Sequence, residues 1–262
     1  MIIVKDIYNY IKNLADERLS EDWDNVGFML GDDKRQVSSI LVCLDVTDEV
    51  VKEAINKKVD LIISHHPLIF KPIKSLNYND FKARIISKLI KNDIAVISAH
   101  TNLDSAKFGL NYYLSKELEL ENIEVLFENN DFKGCGLGRK GTLKEKMKIS
   151  EFSSFVKRKL NLKYVKLITK NPDNYIKKVA LLGGSGGDFI YKLPDVDIYL
   201  TGDVSYHQAL DSIEMNKNVI DIGHFSENIC KKIFKEYLEN INSLKNINIY
   251  LSEVEENPFQ LL

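Results

Sequence analysis

Short, wholly apolar runs alternate along the first half of the chain with stretches whose apolar positions recur every three or four residues. Ile40–Leu44 reads as a buried strand and Asp48–Lys57 as an amphipathic helix. Leu61–Ile63 reads as a second strand, Phe81–Lys91 as a helix, Ile94–Ile97 as a third strand and Gly109–Leu118 as a helix. The runs are apolar throughout rather than alternating with polar residues. That pattern predicts a parallel or mostly parallel sheet covered on both faces, in an α/β fold.

Between Glu128 and Gly141 the texture turns polar and glycine-rich (ENNDFKGCGLGRKG), which marks either a crossing between domains or a long surface loop. The rhythm then restarts. A helix is predicted over Ser150–Leu160, with strands over Tyr164–Ile168, Val179–Leu182 and Ile198–Leu200. A helix over Tyr206–Met215 and a strand at Val219–Ile220 follow. The last helix (Ser226–Glu239) and strand (Ile247–Leu251) are able to return to the first domain.

Composition narrows the function classes. A formal charge of -2 gives no electrostatic reason to expect nucleic acid or an anionic membrane surface as the main partner. No apolar run approaches the roughly 20 residues that cross a bilayer, and the N-terminal MIIVKDIYNYIKNL lacks the form of a secretory signal. The three cysteines, Cys43, Cys135 and Cys230, are widely spaced and form neither a disulfide framework nor a CxxC pair. A cytoplasmic location is expected.

Candidate chemistry lies with the five histidines. His65 and His66 directly follow one predicted strand, His100 the next, and His224 a third; His207 comes after a fourth strand, at the start of a helix. Open α/β sheets bind ligands just beyond the carboxyl ends of their strands. In Ser64-His65-His66-Pro67 the proline keeps His66 extended, so the two imidazoles point to opposite sides and each can face a different ion. The same segment also fits a solvent-exposed pair.

Asp104 lies four residues beyond His100, where a helix cap is the ordinary role. His224 and Glu227 stand at i, i+3, on one face of a starting helix. Taken together, His65, His66, Asp104, His224 and Glu227 form a mixed nitrogen and oxygen donor set suited to iron, zinc or manganese. Five donors exceed what one open catalytic ion needs and suit two divalent transition metal ions sharing a carboxylate. His100 and His207 are then outer groups, proton shuttles or structural histidines.

The segments ISHHPLIFKPIKSL, ISAHTNLDSAKFGLNYYL, YLTGDVSYH and VIDIGHFSEN, with EDWDNVGFMLGD and VALLGGSGGDF, resemble in order and spacing the Nif-three-like family. Its members are catalogued as GTP cyclohydrolase 1 type 2 homologues, and the length here matches the form without an extra inserted domain. The resemblance implies two α/β domains with mostly parallel or mixed sheets, the second inserted into the first. The corresponding boundaries are 1–127 with 226–262 for the metal-binding domain and 128–225 for the insert. It also implies a ring-shaped homohexamer. His66 and Asp104 would bind one metal, His65 and His224 the other, and Glu227 would bridge them. In the common form of the family the last acidic ligand follows the histidine by one residue more than Glu227 follows His224.

Two function classes follow. One is a metal-dependent hydrolase acting on a nucleotide-like or phosphorylated small molecule. The other is a non-catalytic metal-binding ring or partner-binding scaffold. The Gly183–Gly187 run (GGSGG) suits either a backbone cradle for phosphate or a tight strand-to-helix turn; it lacks the GK[ST] of a P-loop.

Overall fold

The parallel core expected from the first half of the chain is present. The structure, a computed structural model, describes residues 1–260 and divides into two compact units, Met1–Ala106 with Cys230–Leu262, and Lys107–Ile229. The first unit opens with α1 (Val4–Leu14), which buries Val4, Ile7 and Ile11 at helical spacing. It continues through β1 (Gly27–Leu30), β2 (Ser39–Cys43), α2 (Asp48–Asn56), β3 (Leu61–Ser64), α3 (Phe81–Lys91), β4 (Ala95–Ser98) and the short α4 (Thr101–Ser105).

The second unit holds α5 (Leu110–Glu117), β5 (Glu121–Glu128), β6 (Gly136–Lys148), α6 (Ile149–Lys159), β7 (Lys166–Ile168), β8 (Tyr175–Ser185), β9 (Ile198–Gly202), α7 (Tyr206–Glu214) and β10 (Val219–Asp221). A 3-10 turn over His224–Ile229 ends it, and α8 (Cys230–Glu239) and β11 (Asn248–Leu251) return to the first unit.

The first sheet runs β1-β4-β3-β2-β11. Strands β4, β3, β2 and β11 are parallel, and β1 closes one edge antiparallel. Every residue of β2, β3 and β4 is buried, as expected of central strands covered on both faces. The second sheet is mixed, in the order β5-β6-β8-β9-β10-β7; only the β8-β9 and β9-β10 pairs are parallel. The architecture is thus two α/β sheets of mixed character.

Two local expectations differ from what is observed. The polar stretch from Glu128 to Gly141 is a hairpin turn of a few residues that runs into the thirteen-residue β6. Pairing with β5 on one side and β8 on the other outweighs its poor strand composition. The buried Arg139 guanidinium donates to the carbonyl oxygens of Gly136 and Gly138 (2.8 and 2.7 Å), satisfying backbone that the irregular strand leaves open. The unit boundaries also sit elsewhere than 127/128 and 225/226. Helix α5 and strand β5 fall to the second unit because β5 pairs with β6, and the turn begun at His224 runs to Ile229.

At the amino end of β3, opposite the histidines, Asp60 ties three segments together. Its carboxylate accepts from the backbone nitrogens of Ser38 and Ser39 (2.8 and 3.1 Å), the Ser38 hydroxyl (2.8 Å) and Arg35 (3.1 Å). Burial acts to raise its pKa, but these hydrogen bonds hold the carboxyl below its ordinary range. A folded-state pKa below the unfolded one stabilises the fold above the unfolded pKa, and that contribution is lost as pH falls through the folded value. Asp60→Asn should therefore lower unfolding free energy near neutral pH by about 1–3 kcal/mol. In urea titrations across pH, its deficit against the parent should shrink below about pH 4; a deficit independent of pH would refute the role of the charge.

Candidate metal centre

The parallel register of the first sheet brings the carboxyl ends of β2, β3 and β4 side by side, and the loops that leave them carry Asp45, His65 with His66, and His100. His66 N donates to Leu44 O at 2.9 Å, so the histidine pair stays on the sheet lattice one step past β3. The Ser64 hydroxyl donates to His66 O at 2.8 Å and lies 2.8 Å from the Ser98 hydroxyl, tying the ends of β3 and β4. Asn102, in the first turn of α4, accepts from His100 N at 2.8 Å through its side-chain oxygen, and the same helix carries Asp104.

Each imidazole is held by its Nδ1. The fully buried His65 donates from Nδ1 to Ala99 O at 2.8 Å. A carbonyl oxygen can only accept, so the Nδ1 proton is fixed and the lone pair of the neutral ring lies on Nε2. His66 Nδ1 is 2.9 Å from Asp45 Oδ1, and His100 Nδ1 is 2.8 Å from Asp24 Oδ1. Burial acts to raise the Asp24 carboxyl, but hydrogen bonds from His100 and Thr101 hold it down at about 2. Asp24 is therefore ionised at neutral pH and accepts from both.

The second unit repeats the device. His224 follows β10, and Asp203 follows the parallel neighbour β9 in a left-handed conformation (φ 54°) that aspartate tolerates. His224 Nδ1 lies 2.6 Å from Asp203 Oδ2, while its Nε2 lies 3.0 Å from Glu227 Oε2. The segment His224–Ile229 is a 3-10 turn rather than the first turn of an α-helix. In a 3-10 turn residues i and i+3 eclipse, so the three-residue spacing sets His224 and Glu227 in register.

Orientation through Nδ1 by a carboxylate or carbonyl, with Nε2 left to ligate, is the usual outer-shell arrangement of metal-binding histidines. In the first unit His65, His66 and His100 each offer a nitrogen within 4.8 Å of the others. His65 Nε2 and Asp104 Oδ1 are 3.7 Å apart, too far for a hydrogen bond and close to the roughly 3–4 Å between two donors on one zinc or iron ion, so His65, and not His66 as the resemblance implies, stands beside Asp104. The donor set therefore fits a divalent transition metal. His65, His66 and Asp104 come together in the first unit, and His224 and Glu227 in the second. His100, expected as an outer group, stands as near to His65 and His66 as a ligand would. His207 is exposed at the start of α7 with its ring against Tyr206, and no candidate ligand group among the described residues includes it.

Asp24, Asp45 and Asp203 were not singled out from the sequence. Asp45 and Asp203 stand one or two residues past a strand in the chain, which is the one signal that marks them. The Gly183–Gly187 run resolves toward a packed turn. Gly183 N donates to Asn111 Oδ1 (2.8 Å) and Gly186 N to Thr201 Oγ1 (2.9 Å), so two of its amides serve the protein itself. Gly184 has φ +64°, and a Cβ there would collide with the Glu227 carboxylate. The glycine makes room for Glu227.

A family model, Duf34/NIF3 (NGG1p interacting factor 3), matches residues 2–258. The chain belongs to the Duf34/NIF3 family. Among NIF3 relatives, a Clostridium perfringens protein named GTP cyclohydrolase 1 type 2 homolog is 35% identical over 263 residues, covering 99% of each chain. One of the same name from Clostridium acetobutylicum is 40% identical, covering 85% of this chain and 84% of its own. The crystal structure of Staphylococcus aureus hypothetical protein SA1388 superposes with a TM-score of 0.93 at 32% identity, covering 99% of each chain.

One residue makes the first-unit cluster directly observable. Trp23 is the single tryptophan, and its ring lies 6.3 Å from that of His100. Nickel(II), a paramagnetic quencher, should extinguish most of the protein's tryptophan emission on binding, and His100→Ala should reduce the amplitude. Bound nickel with unchanged emission would show that these imidazoles do not hold the ion.

Proposed function

We propose that this NIF3 protein binds two divalent transition metal ions through His65, His66, Asp104, His224 and Glu227, and hydrolyses a phosphorylated or nucleotide-like small molecule. The observation that carries the reading is the shared Nδ1 anchoring of His65, His66 and His224 (by Ala99, Asp45 and Asp203), which leaves Nε2 of each ring as the donor atom. When bound, such ions supply Lewis acidity, a more acidic water and an electrostatic clamp for an oxyanion. The chain's own contribution is to hold the rings rigid, keep each in one tautomer, and surround His65 and Asp104 with buried surface that excludes bulk water. The name shared by the relatives supports hydrolysis of a ring or ester bond in a nucleotide-like molecule.

A non-catalytic metal-binding ring or partner-binding scaffold is the second reading, and His100 favours it. A sixth donor beside His65 and His66 leaves fewer positions for substrate. The free cysteines support a reducing compartment such as the cytoplasm, and among the described residues no helix is long and apolar enough to cross a membrane. We place the protein in a homohexamer, as the family resemblance implies; Tyr206 and Leu210, exposed on one face of α7, support burial of that face in an assembly.

Elemental analysis after chelator-free purification should give two ions per chain, and a phosphoester and nucleotide panel should show metal-dependent turnover. A saturable stoichiometry of one or none under metal-replete conditions would sink the two-ion reading, and saturated sites without turnover would favour the second. His65→Ala and His66→Ala should each remove about one ion, whereas Glu227→Ala should lower occupancy of both. Glu227→Ala binding two ions with parental affinity would exclude it as the bridge. Light scattering should give about six times the 30.1 kDa chain mass, and a stable monomer at micromolar concentration would refute the hexamer.

A further inference from the structure

Beside the histidine cluster the first unit carries a cavity of about 470 Å³ between the loop after β2 and the start of α3, with His66 and Asp45 in its wall. This lies within the range of small-molecule sites. Its apolar lining includes the half-buried Pro67 and the exposed Phe81, which give the body of a ligand apolar surface to pack on. Three cations, Lys82, Arg84 and Lys88, line it from α3.

The charges of the wall are not matched one to one. Asp45 is engaged by the His66 ring at 2.9 Å. Asp48 pairs with Lys88 and, at 3.0 Å, with Lys52. Lys82 and Arg84 have no carboxylate partner among the described residues. The Lys82 ammonium lies 5.9 Å from the Phe81 ring. Among the described residues Arg84 commits only Nη1, to the carbonyl oxygens of Tyr78 (2.9 Å) and Asn79 (3.1 Å), which braces the guanidinium while leaving Nε and Nη2 as donors. A guanidinium braced in this way, lining the same cavity as an ammonium without a carboxylate partner, gives that wall the positive charge that suits an anionic group such as phosphate.

We propose that this cavity is a phosphate-binding subsite in which Lys82 and Arg84 hold the phosphate of a small-molecule substrate while the rest of the molecule reaches toward His66. The proposal deepens the hydrolase reading, on which it rests for what happens at the His66 end, and it assigns specificity to residues outside the metal ligands. Esters and nucleotides with a terminal phosphate fit. An uncharged analogue of the same size leaves both cations without a partner and is rejected.

The test is calorimetric titration of inorganic phosphate into the zinc-loaded protein, with zinc content measured on every sample. The Lys82→Ala/Arg84→Ala double variant is compared with Lys144→Ala/Lys146→Ala, which removes the same charge from exposed positions of the second unit. The expected result is an affinity about tenfold or more weaker in the pocket variant only, with zinc content unchanged. Equal affinity in all three proteins places the phosphate on the metal ions and overturns the subsite. Equal weakening in both variants reduces it to diffuse attraction and overturns it, as does a parent protein that binds no phosphate. A parent protein that holds no zinc defeats the metal reading instead, and the comparison between the variants still decides the subsite.

Discussion

The hydrogen bond from His65 Nδ1 to the Ala99 carbonyl joins the ends of two parallel strands and fixes the tautomer of a fully buried imidazole. Much of the first unit's chemistry depends on it. A buried histidine whose proton could move between nitrogens would present a donor or an acceptor at random, and a metal needs the acceptor. The carbonyl removes that freedom because it can only accept. The bond exists because β3 and β4 run parallel and in register, Ser64 opposite Ser98, so that the next residues of each strand meet.

The same logic reaches outward through carboxylates. Asp45, Asp24 and Asp203 each stand behind one imidazole, and the first two are themselves held in place. Asp24 also accepts from the Thr101 backbone and hydroxyl (3.1 and 2.5 Å), which locks the start of α4 to the histidine that precedes it. The Asp45 loop is pinned from below by Glu255, whose carboxylate accepts from Leu44 N (2.9 Å) and Asp45 N (2.7 Å) and pairs with Lys231 at 3.4 Å. The segment after the last strand thus positions a loop more than 200 residues earlier in the same unit.

Much of the fold was legible in the chain. The central strands are apolar on both faces, and a fully buried parallel sheet tolerates little else, so their positions were read to within a residue or two. Less legible were α1, which mixes apolar and charged residues, β1, a four-residue strand that opens on a glycine, and β6, whose polar and glycine-rich start reads as a loop. Strand β6 exists because neighbours on both sides supply hydrogen bonds, and local composition carries no record of that. The 3-10 form of the His224 segment was hidden for a similar reason: the α and 3-10 readings share the same residues and differ only in how tightly the turn closes.

The sequence by itself determined the kind of chemistry on offer. It places histidines and carboxylates directly after apolar strands, and strand ends in open α/β sheets are where ligands meet. It could single out His65, His66, Asp104, His224 and Glu227 as candidate donors, because donor type and strand adjacency are local properties. Tertiary structure decided which nitrogen of each ring the protein itself engages, since that depends on partners such as Ala99, Asp24 and Asp203, 21 to 76 residues away in the chain. It also decided that His100 joins His65 and His66 while His207 stays at the surface. Both histidines follow strands, but His100 leaves β4, paired with the β3 that carries His65 and His66, whereas His207 lies in α7 after β9 of the other sheet.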